Sequence, residues 1–339
     1  MEWLVAGSGP GCSGADWSTD EGQRLAGEVF VRLRRGRRLS DLGLGTVDGR
    51  TDLRGITAAI PRRSRRFQFG RLFVEELSGL VELRDCLIEG IDFGGALLPN
   101  LRFFDSEIRD CRFDAAQCRG WRMWRTRLED VGFRRANLRD SALGPFDGAP
   151  NRFDRVDFRD ADLRGIASSG VEYVDCDFGG ARLDGVDFQS SSLVRCRFAG
   201  VLKGVIFYAH GFQTGKPDPN PMEDVDFSEA VLRDVEFRGL NLDRVRFPVT
   251  SDHFVTRNYR CVIEYALTKL QGDESTAAQY IRSALEHRLK WVGPSQQVGV
   301  FNIDDLSIPG GAEQGKVALD LLRRCESHCD EQNGGTRQP

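Results

Sequence analysis

The run best equipped for chemistry is Cys325-Glu326-Ser327-His328-Cys329, which sets two thiols and an imidazole close together. A zinc site needs a fourth ligand at comparable spacing. None accompanies this run, so it predicts no metal centre. Histidine is scarce, at positions 210, 253, 287 and 328, and no Ser-His-Asp or Cys-His pattern gathers around any of them. Gly7-Ser8-Gly9-Pro10-Gly11 has the glycines of a phosphate-cradling loop, yet no Lys-Ser/Thr follows and no strand is evident before it. Carboxylates recur at Asp92, Asp157, Asp162, Asp177 and Asp187, the rhythm of a repeat and not of a catalytic pair. The sequence therefore predicts no catalytic, cofactor-binding or metal-ligating residues. An activity housed in the C-terminal helical domain is the enzymatic alternative.

What remains is recognition chemistry. Phe104 and Trp124 lie twenty residues apart, as do Arg119, Arg139 and Arg159 in turn, and a Pro/Gly-rich run carries His210, Phe212 and Lys216. Twenty matters because the chain repeats itself every five residues from Val81 to Phe247. Leu83, Ile88, Phe93, Leu98, Phe103, Ile108 and Phe113 open a series of large third-position residues. Phe153, Phe158, Leu163, Phe178, Leu183, Phe188, Leu193 and Phe198 continue it. First positions are small or compact, among them Cys86, Ile91, Ala96, Cys111, Ala136, Val156, Ala161, Cys176, Ala181 and Cys196. Neither helix nor simple strand has that period, so the units must stack as a solenoid.

Ala161-Asp162-Leu163-Arg164-Gly165, Ala136-Asn137-Leu138-Arg139-Asp140 and Cys176-Asp177-Phe178-Gly179-Gly180 carry an A-D/N-L-x-x signature. The chain thus resembles the pentapeptide-repeat family over about half its length, residues 67–247. The resemblance implies a mainly β fold: a right-handed quadrilateral β-helix with four units per coil and the third residue of each unit in the axis. It also implies that second-position Asp residues support the turn backbone. Residues twenty apart then lie above one another, so Phe104 and Trp124 form one outward column and Arg119, Arg139 and Arg159 another, beside Asp140 and Asp160. Fluoroquinolone-resistance members bind DNA gyrase by imitating duplex DNA with an electronegative surface, which makes gyrase a candidate partner. Nucleic acid held by Arg clusters is a third reading, and a scaffold for an unknown protein is the first.

The rest of the chain must cap the array, because an open coil exposes apolar core and an unpaired edge. Residues 1–17 read as a disordered leader, and 18–66 as an N-terminal helix and capping segment. Ser18 or Asp20 caps that helix, with Leu25, Val29 and Leu33 on one side. Basic clusters follow at Arg32–Arg38 and Pro61–Arg66. Thr51-Asp52-Leu53-Arg54-Gly55 is a lone unit expected to pair with, or cap, the first coil. A Gly at the inward position of Phe146-Asp147-Gly148-Ala149-Pro150 predicts a local interruption. A one-residue slip at Val201–Gly204 precedes a loop insertion at 208–222. Residues 248–331 read as a helical C-terminal domain that can also dimerise. Val255, Val262, Ala266 and Leu270 mark one helix, Tyr280, Ala284 and Leu285 a second, and Val317, Leu321 and Cys325 a third. Val292–Ile303 reads as a loop and 332–339 as a disordered tail.

The formal net charge is −4, from 47 basic and 51 acidic residues, which suits neither a strongly basic nucleic-acid binder nor a polyacid. Acids and arginines interleave along the repeats, whereas a DNA mimic calls for a continuous acidic face. Of nine cysteines, Cys86, Cys111, Cys118, Cys176 and Cys196 occupy inward positions as small core residues. Cys176 and Cys196 fall one coil apart, where a disulfide is geometrically conceivable; free thiols in a reducing cytosol are expected. The N-terminus lacks the basic segment of a signal peptide and no stretch approaches the length of a membrane span. A soluble, cytoplasmic protein is the expectation.

Overall fold

The computed structural model describes residues 15–58, 81–144, 149–210, 220–294, 296–308 and 311–334. Its centre is a stack of coils joined by parallel pairing at a twenty-residue offset. Arg102–Phe104 pairs with Arg122–Trp124, and Glu107–Arg109 with Arg127–Glu129. The corners explain the composition of the units. The fifth residue repeatedly takes positive φ, as at Asp105 (49°), Asp110 (46°) and Asp130 (55°), where a short polar side chain or glycine costs least. One corner requires glycine on a second count: a Cβ on Gly180 would run into the Asp160 carboxylate of the coil before. Second-position Asp side chains accept the N–H two residues on, at 2.7 Å for Gly94, 3.0 Å for Arg159 and 2.8 Å for Gly179. These Asx turns occupy the recurrent carboxylates.

Third-position side chains fill the axis. Phe93, Phe113, Phe133, Phe158, Phe178, Phe198, Phe227 and Phe247 form one continuous ring stack, with successive centroids 4.7–6.1 Å apart and planes within 14°. Phe188, Phe207 and Phe237 form a second column that meets the first edge-on. The five cysteines assigned to the core are buried free thiols.

Interruptions change the offset without losing the frame. Thr51 pairs with Ile91 across an offset of forty residues, so the lone early unit joins the first coil as expected. Arg127 pairs with Arg152, an offset of twenty-five, so five extra residues fall between Gly144 and Asn151. Asp187 pairs with Ile206, which places the one-residue slip, and Ile206 with Glu236. The Pro61–Arg66 cluster, residues 67–80 of the array and Phe146–Gly148 lie outside the described residues, as do 1–14 of the leader and 335–339 of the tail.

Several expectations are corrected at the ends. Helix α1 (Asp20–Arg34) is capped by Thr19, whose hydroxyl accepts from Gly22 N–H at 3.0 Å, and not by Ser18 or Asp20. Its buried side is Ala26, Val29, Phe30 and Leu33, with Leu25 only half-buried. After the coils come α2 (Tyr259–Lys269), α3 (Thr276–Leu289) and α4 (Ala312–Gly334). Val255 belongs to no helix: His253–Thr256 pairs antiparallel with Gly299–Asn302, inside the segment read as a loop. Its short apolar run fits helix and strand alike, and only the distant partner decides. Tyr280 and Val317 point to solvent, while Ala278, Ile281 and Leu285 on α3 and Ala318, Leu319 and Leu322 on α4 are buried. The α4 helix continues through residues 332–334 of the expected tail. A disulfide joins Cys261 to Cys329 and ties α2 to α4, while Cys176 and Cys196 are free thiols as expected. No helix among the described residues is long and apolar enough to cross a membrane.

The last coil is closed by polar side chains from the C-terminal segment, as a helix is capped. Gln296 accepts from Gly239 N–H at 3.1 Å and donates to the Phe237 carbonyl at 3.0 Å. Asp305 accepts from Asp234 N–H at 2.6 Å, and Val298 and Val300 extend the rod's apolar core. His253 Nε2 receives Leu232 N–H at 3.1 Å and Asn302 Nδ2 at 3.0 Å, while Nδ1 faces the Thr250 hydroxyl at 2.8 Å. Both groups at Nε2 can only donate, so the ring must be neutral with its proton on Nδ1. Burial lowers the His253 pKa, against the opposing pull of Asp252 and Asp304.

Two outcomes are expected. Phe178→Ala should cost about 3–5 kcal/mol, read as a drop in the urea midpoint, because a ring between two stacked rings leaves a cavity. Because the folded pKa of His253 lies below the unfolded value of about 6.5, its contribution is fully present above that pH and is lost as pH falls from there through the folded pKa. Wild-type stability should therefore decline as pH falls below about 6.5 toward the lowered folded pKa, and His253→Gln, which gains no charge, should flatten that slope. Equal slopes would reject the neutral cap.

Candidate interaction surfaces

Each unit turns its second and fourth residues outward, so surface columns inherit the register of the strands beneath them. Phe104 sits beside Trp124, with ring centroids 4.4 Å apart and planes 4° from parallel. The Arg84 guanidinium lies 3.7 Å above Phe104 and extends the stack by a cation–π contact. The two rings are half-buried, because each covers a face of the other; they are not free-standing anchors. The next register position is Gly144, which adds no side chain beyond the indole. Alongside, Arg125 binds Asp105 at 2.7 Å, and Arg122 donates to the Trp121 and Asp140 carbonyls.

The predicted arginine column is redrawn. Arg119 and Arg139 are neighbours, but Asn137 pairs with Asp162 and Asp140 N–H reaches the Arg164 carbonyl. Arg164 therefore follows Arg139, and Arg159 stands beside Arg134 on another face. The cause is the five-residue insertion, which turns a twenty-residue step into twenty-five. Carboxylates neutralise most of these groups: Arg119 binds Asp140, Arg159 binds Asp157 and Arg164 binds Asp162, each at 2.6 Å. Arg139 forms no ion pair among the described residues.

A neighbouring face is a lattice of alternating charge. Arg109 meets Glu107 at 2.7 Å, Arg127 meets Glu129 at 3.4 Å, and Arg152 lies between Asp154 (3.3 Å) and Glu172 (3.2 Å). Arg155 binds Glu129, Asp130 and Asp154 together. Its hydrogen bonds hold the Glu129 and Asp130 carboxyls below their ordinary range. Exposed pairs of this kind each contribute about 0–1 kcal/mol. Their larger effect is to remove a continuous field of either sign.

Of the loop residues, His210 is exposed where the insertion leaves the coil, and Phe212 and Lys216 lie outside the described residues. Two residues that escaped sequence reasoning close the insertions. Asn151 is fully buried; its Oδ1 accepts from Thr126 N–H at 2.8 Å and its Nδ2 donates to the Met123 and Leu143 carbonyls. Asn220 accepts from Leu193 N–H at 3.0 Å and Met222 N–H at 3.2 Å, and its own N–H bonds Ala209. Each follows a proline and fills the first position of a unit, where a small apolar residue is the rule. That exception was the available signal.

Polar groups also line a cleft of about 580 Å³ between the last coil and α3, bounded by Lys203, Arg233, Tyr280, His287 and Asp304. Its charges are largely consumed. Arg233 binds Asp304 at 2.9 Å, Arg288 binds Asp305 at 2.7 Å, and Glu236 takes both Arg238 (2.6 Å) and His287 (3.2 Å). The Arg233–Asp304 and Glu236–His287 contacts fasten the cap to the rod.

No family model matches the sequence, and no curated protein does. Among solved structures the chain is similar to QnrB1, a plasmid-mediated fluoroquinolone resistance protein, at 16% identity over 50% of this chain and 78% of that one, with a TM-score of 0.30. It is similar to HetL, a pentapeptide repeat protein involved in heterocyst differentiation regulation from the cyanobacterium Nostoc sp. strain PCC 7120, at 13% identity over 66% and 90%, TM-score 0.29. A pentapeptide repeat protein from the Arabidopsis thaliana thylakoid lumen matches at 18% identity over 44% and 70%, TM-score 0.12. These likenesses concern the repeat and reach no individual surface residue.

Asn151→Ala would leave three backbone groups without their side-chain partner, at about 1–3 kcal/mol for each buried group left unsatisfied. Faster amide exchange at Thr126 and earlier proteolysis beside Pro150 are expected; wild-type protection at Thr126 would dismiss the anchor.

Proposed function

We propose that this pentapeptide-repeat chain is a non-enzymatic interaction scaffold: a right-handed quadrilateral β-helix, closed at one end by a helical domain, that docks a protein partner on its outer faces. The observation that supports this is the Arg84–Phe104–Trp124 stack, an aromatic surface held rigid by the strands beneath it. Rigid aromatic and arginine side chains dominate interface energetics because they bury much area at little conformational cost. The insertion beginning at His210 is the second contact in this reading. Self-association through the C-terminal helices belongs to it as well, with Val317 open on α4.

Gyrase as the partner has less support. The acidic side chains that a DNA mimic would display are interleaved with arginine, and Arg155 alone engages three of them. Nucleic-acid binding through the arginine column has less support too, since Arg119 and Arg164 on either side of Arg139 are each paired and Arg159, paired as well, stands on another face. A cytoplasmic location stays part of the proposal, with the Cys261–Cys329 bond as the feature that weighs against it.

The test is affinity capture from native extract with the full chain, with Trp124→Glu and with residues 208–222 deleted, followed by hydroxyl-radical footprinting. A protein retained by wild type, lost on either change and protecting Trp124 from oxidation is the expected result. Gyrase subunits in that role would favour topoisomerase protection and a supercoiling assay. Identical captures by all three proteins, with no protection at Trp124, would refute the scaffold surface.

A further inference from the structure

A second cleft of about 580 Å³ lies where the end of α1 meets the first coil. Its floor is apolar: Leu33, Leu39, Ile88 and Ile91 are buried side chains of the core, and Leu87 beside them is 49% exposed. Leu87 is an outward second-position residue, a site given elsewhere on that face to Glu107, Arg127, Arg152 and Glu172. An aliphatic side chain there breaks the charge lattice where the cleft opens.

The rim is basic. Gly36 (φ 58°) turns the chain out of α1, with Arg37 N–H bonded back to the Arg32 carbonyl, and this swings Arg37 and Arg38 over the cleft. Two other arginines of the cluster are committed: Arg32 binds Glu28 at 2.8 Å and also Asp41, and Arg34 donates to the Glu82 carbonyl. The guanidinium groups of Arg37 and Arg38 bind no side chain or carbonyl among the described residues. Glu89 lines the same cleft and pairs with neither, and the Ser40 and Thr51 hydroxyls complete the rim.

We infer that this cleft is a binding site for a small anionic amphiphile, a carboxylate, sulfonate or phosphate on an apolar stem. The stem lies on Leu87 and the floor between Ile88 and Leu39, and the head group meets Arg37 and Arg38. The volume falls within the range of small-molecule sites. Uncommitted guanidinium groups beside exposed aliphatic surface are the complement of that ligand. In the cleft against α3 the arginines are spent on Asp304, Asp305 and Glu236, and no guanidinium group among the described residues is left uncommitted there.

The probe is 8-anilinonaphthalene-1-sulfonate, titrated into the full-length folded protein and followed by its fluorescence, with decanoate as competitor. Saturable binding that decanoate displaces is expected, weakening with added salt as exposed charge pairs do. Arg37→Gln/Arg38→Gln and Leu87→Glu should each weaken binding by about tenfold or more, a change of about 1.4 kcal/mol. Glu89→Gln should tighten it, which an unfolding artefact would not do. All four positions are exposed, and unchanged far-ultraviolet circular dichroism would verify the fold. Absence of saturable binding, or equal affinity across these variants, would overturn the site.

Discussion

Parallel hydrogen bonding between coils imposes one vertical spacing on everything attached to the backbone. Strands pair about 4.8 Å apart, so any side chain repeated at the same position must tolerate a copy of itself directly above and below. Planar rings do so by stacking. That is why eight phenylalanines share one column at 4.7–6.1 Å. Like charges repel when stacked, and at the corner positions the surface answers by alternation: Asp105 under Arg125, Asp130 under Arg155, Asp175 under Arg195, Asp224 under Arg244. Core and surface chemistry are two responses to one spacing.

A solenoid also has ends, where that spacing runs out. The C-terminal end places a side-chain acceptor or donor on backbone groups that a further coil would have satisfied, with His253, Asp305 and Gln296 sharing the task. The apolar part is filled by Val298 and Val300. An imidazole in this role performs like a main-chain carbonyl only while it is neutral, which couples the closure of the rod to proton activity.

The five-residue period made the interior legible: Leu83, Phe113, Phe178 and Phe198 are buried as their positions require. So was the pairing of Thr51–Asp52 with the first coil. The outer surface was less so, because a column depends on the offset between coils as well as on position within a unit. Five extra residues after Gly144 sent Arg159 to a different face, and nothing in the unit pattern announces whether an insertion stays in the coil or leaves it. The Cys261–Cys329 bond spans 68 residues and joins two helices whose apolar patterns name no partner. The strands at His253–Thr256 and Gly299–Asn302 were hidden for the same reason, since their pairing is the only thing that makes them strands. The cleft under Arg37 and Arg38 needed the turn at Gly36 and the position of Leu87 together.

The buried asparagines bear on how such rods diversify. Asn151 and Asn220 each take over main-chain bonds at the point where an excursion rejoins the stack. The coil above therefore registers the return of the chain and not the length of its absence. Lengthening a closed loop is inexpensive, about 0.6 kcal/mol per doubling. A lineage that acquires a proline and an asparagine at the first position of a unit thus gains a docking port for new sequence. Surface loops can then be exchanged, extended or lost at that corner while every ring in the interior keeps its neighbours.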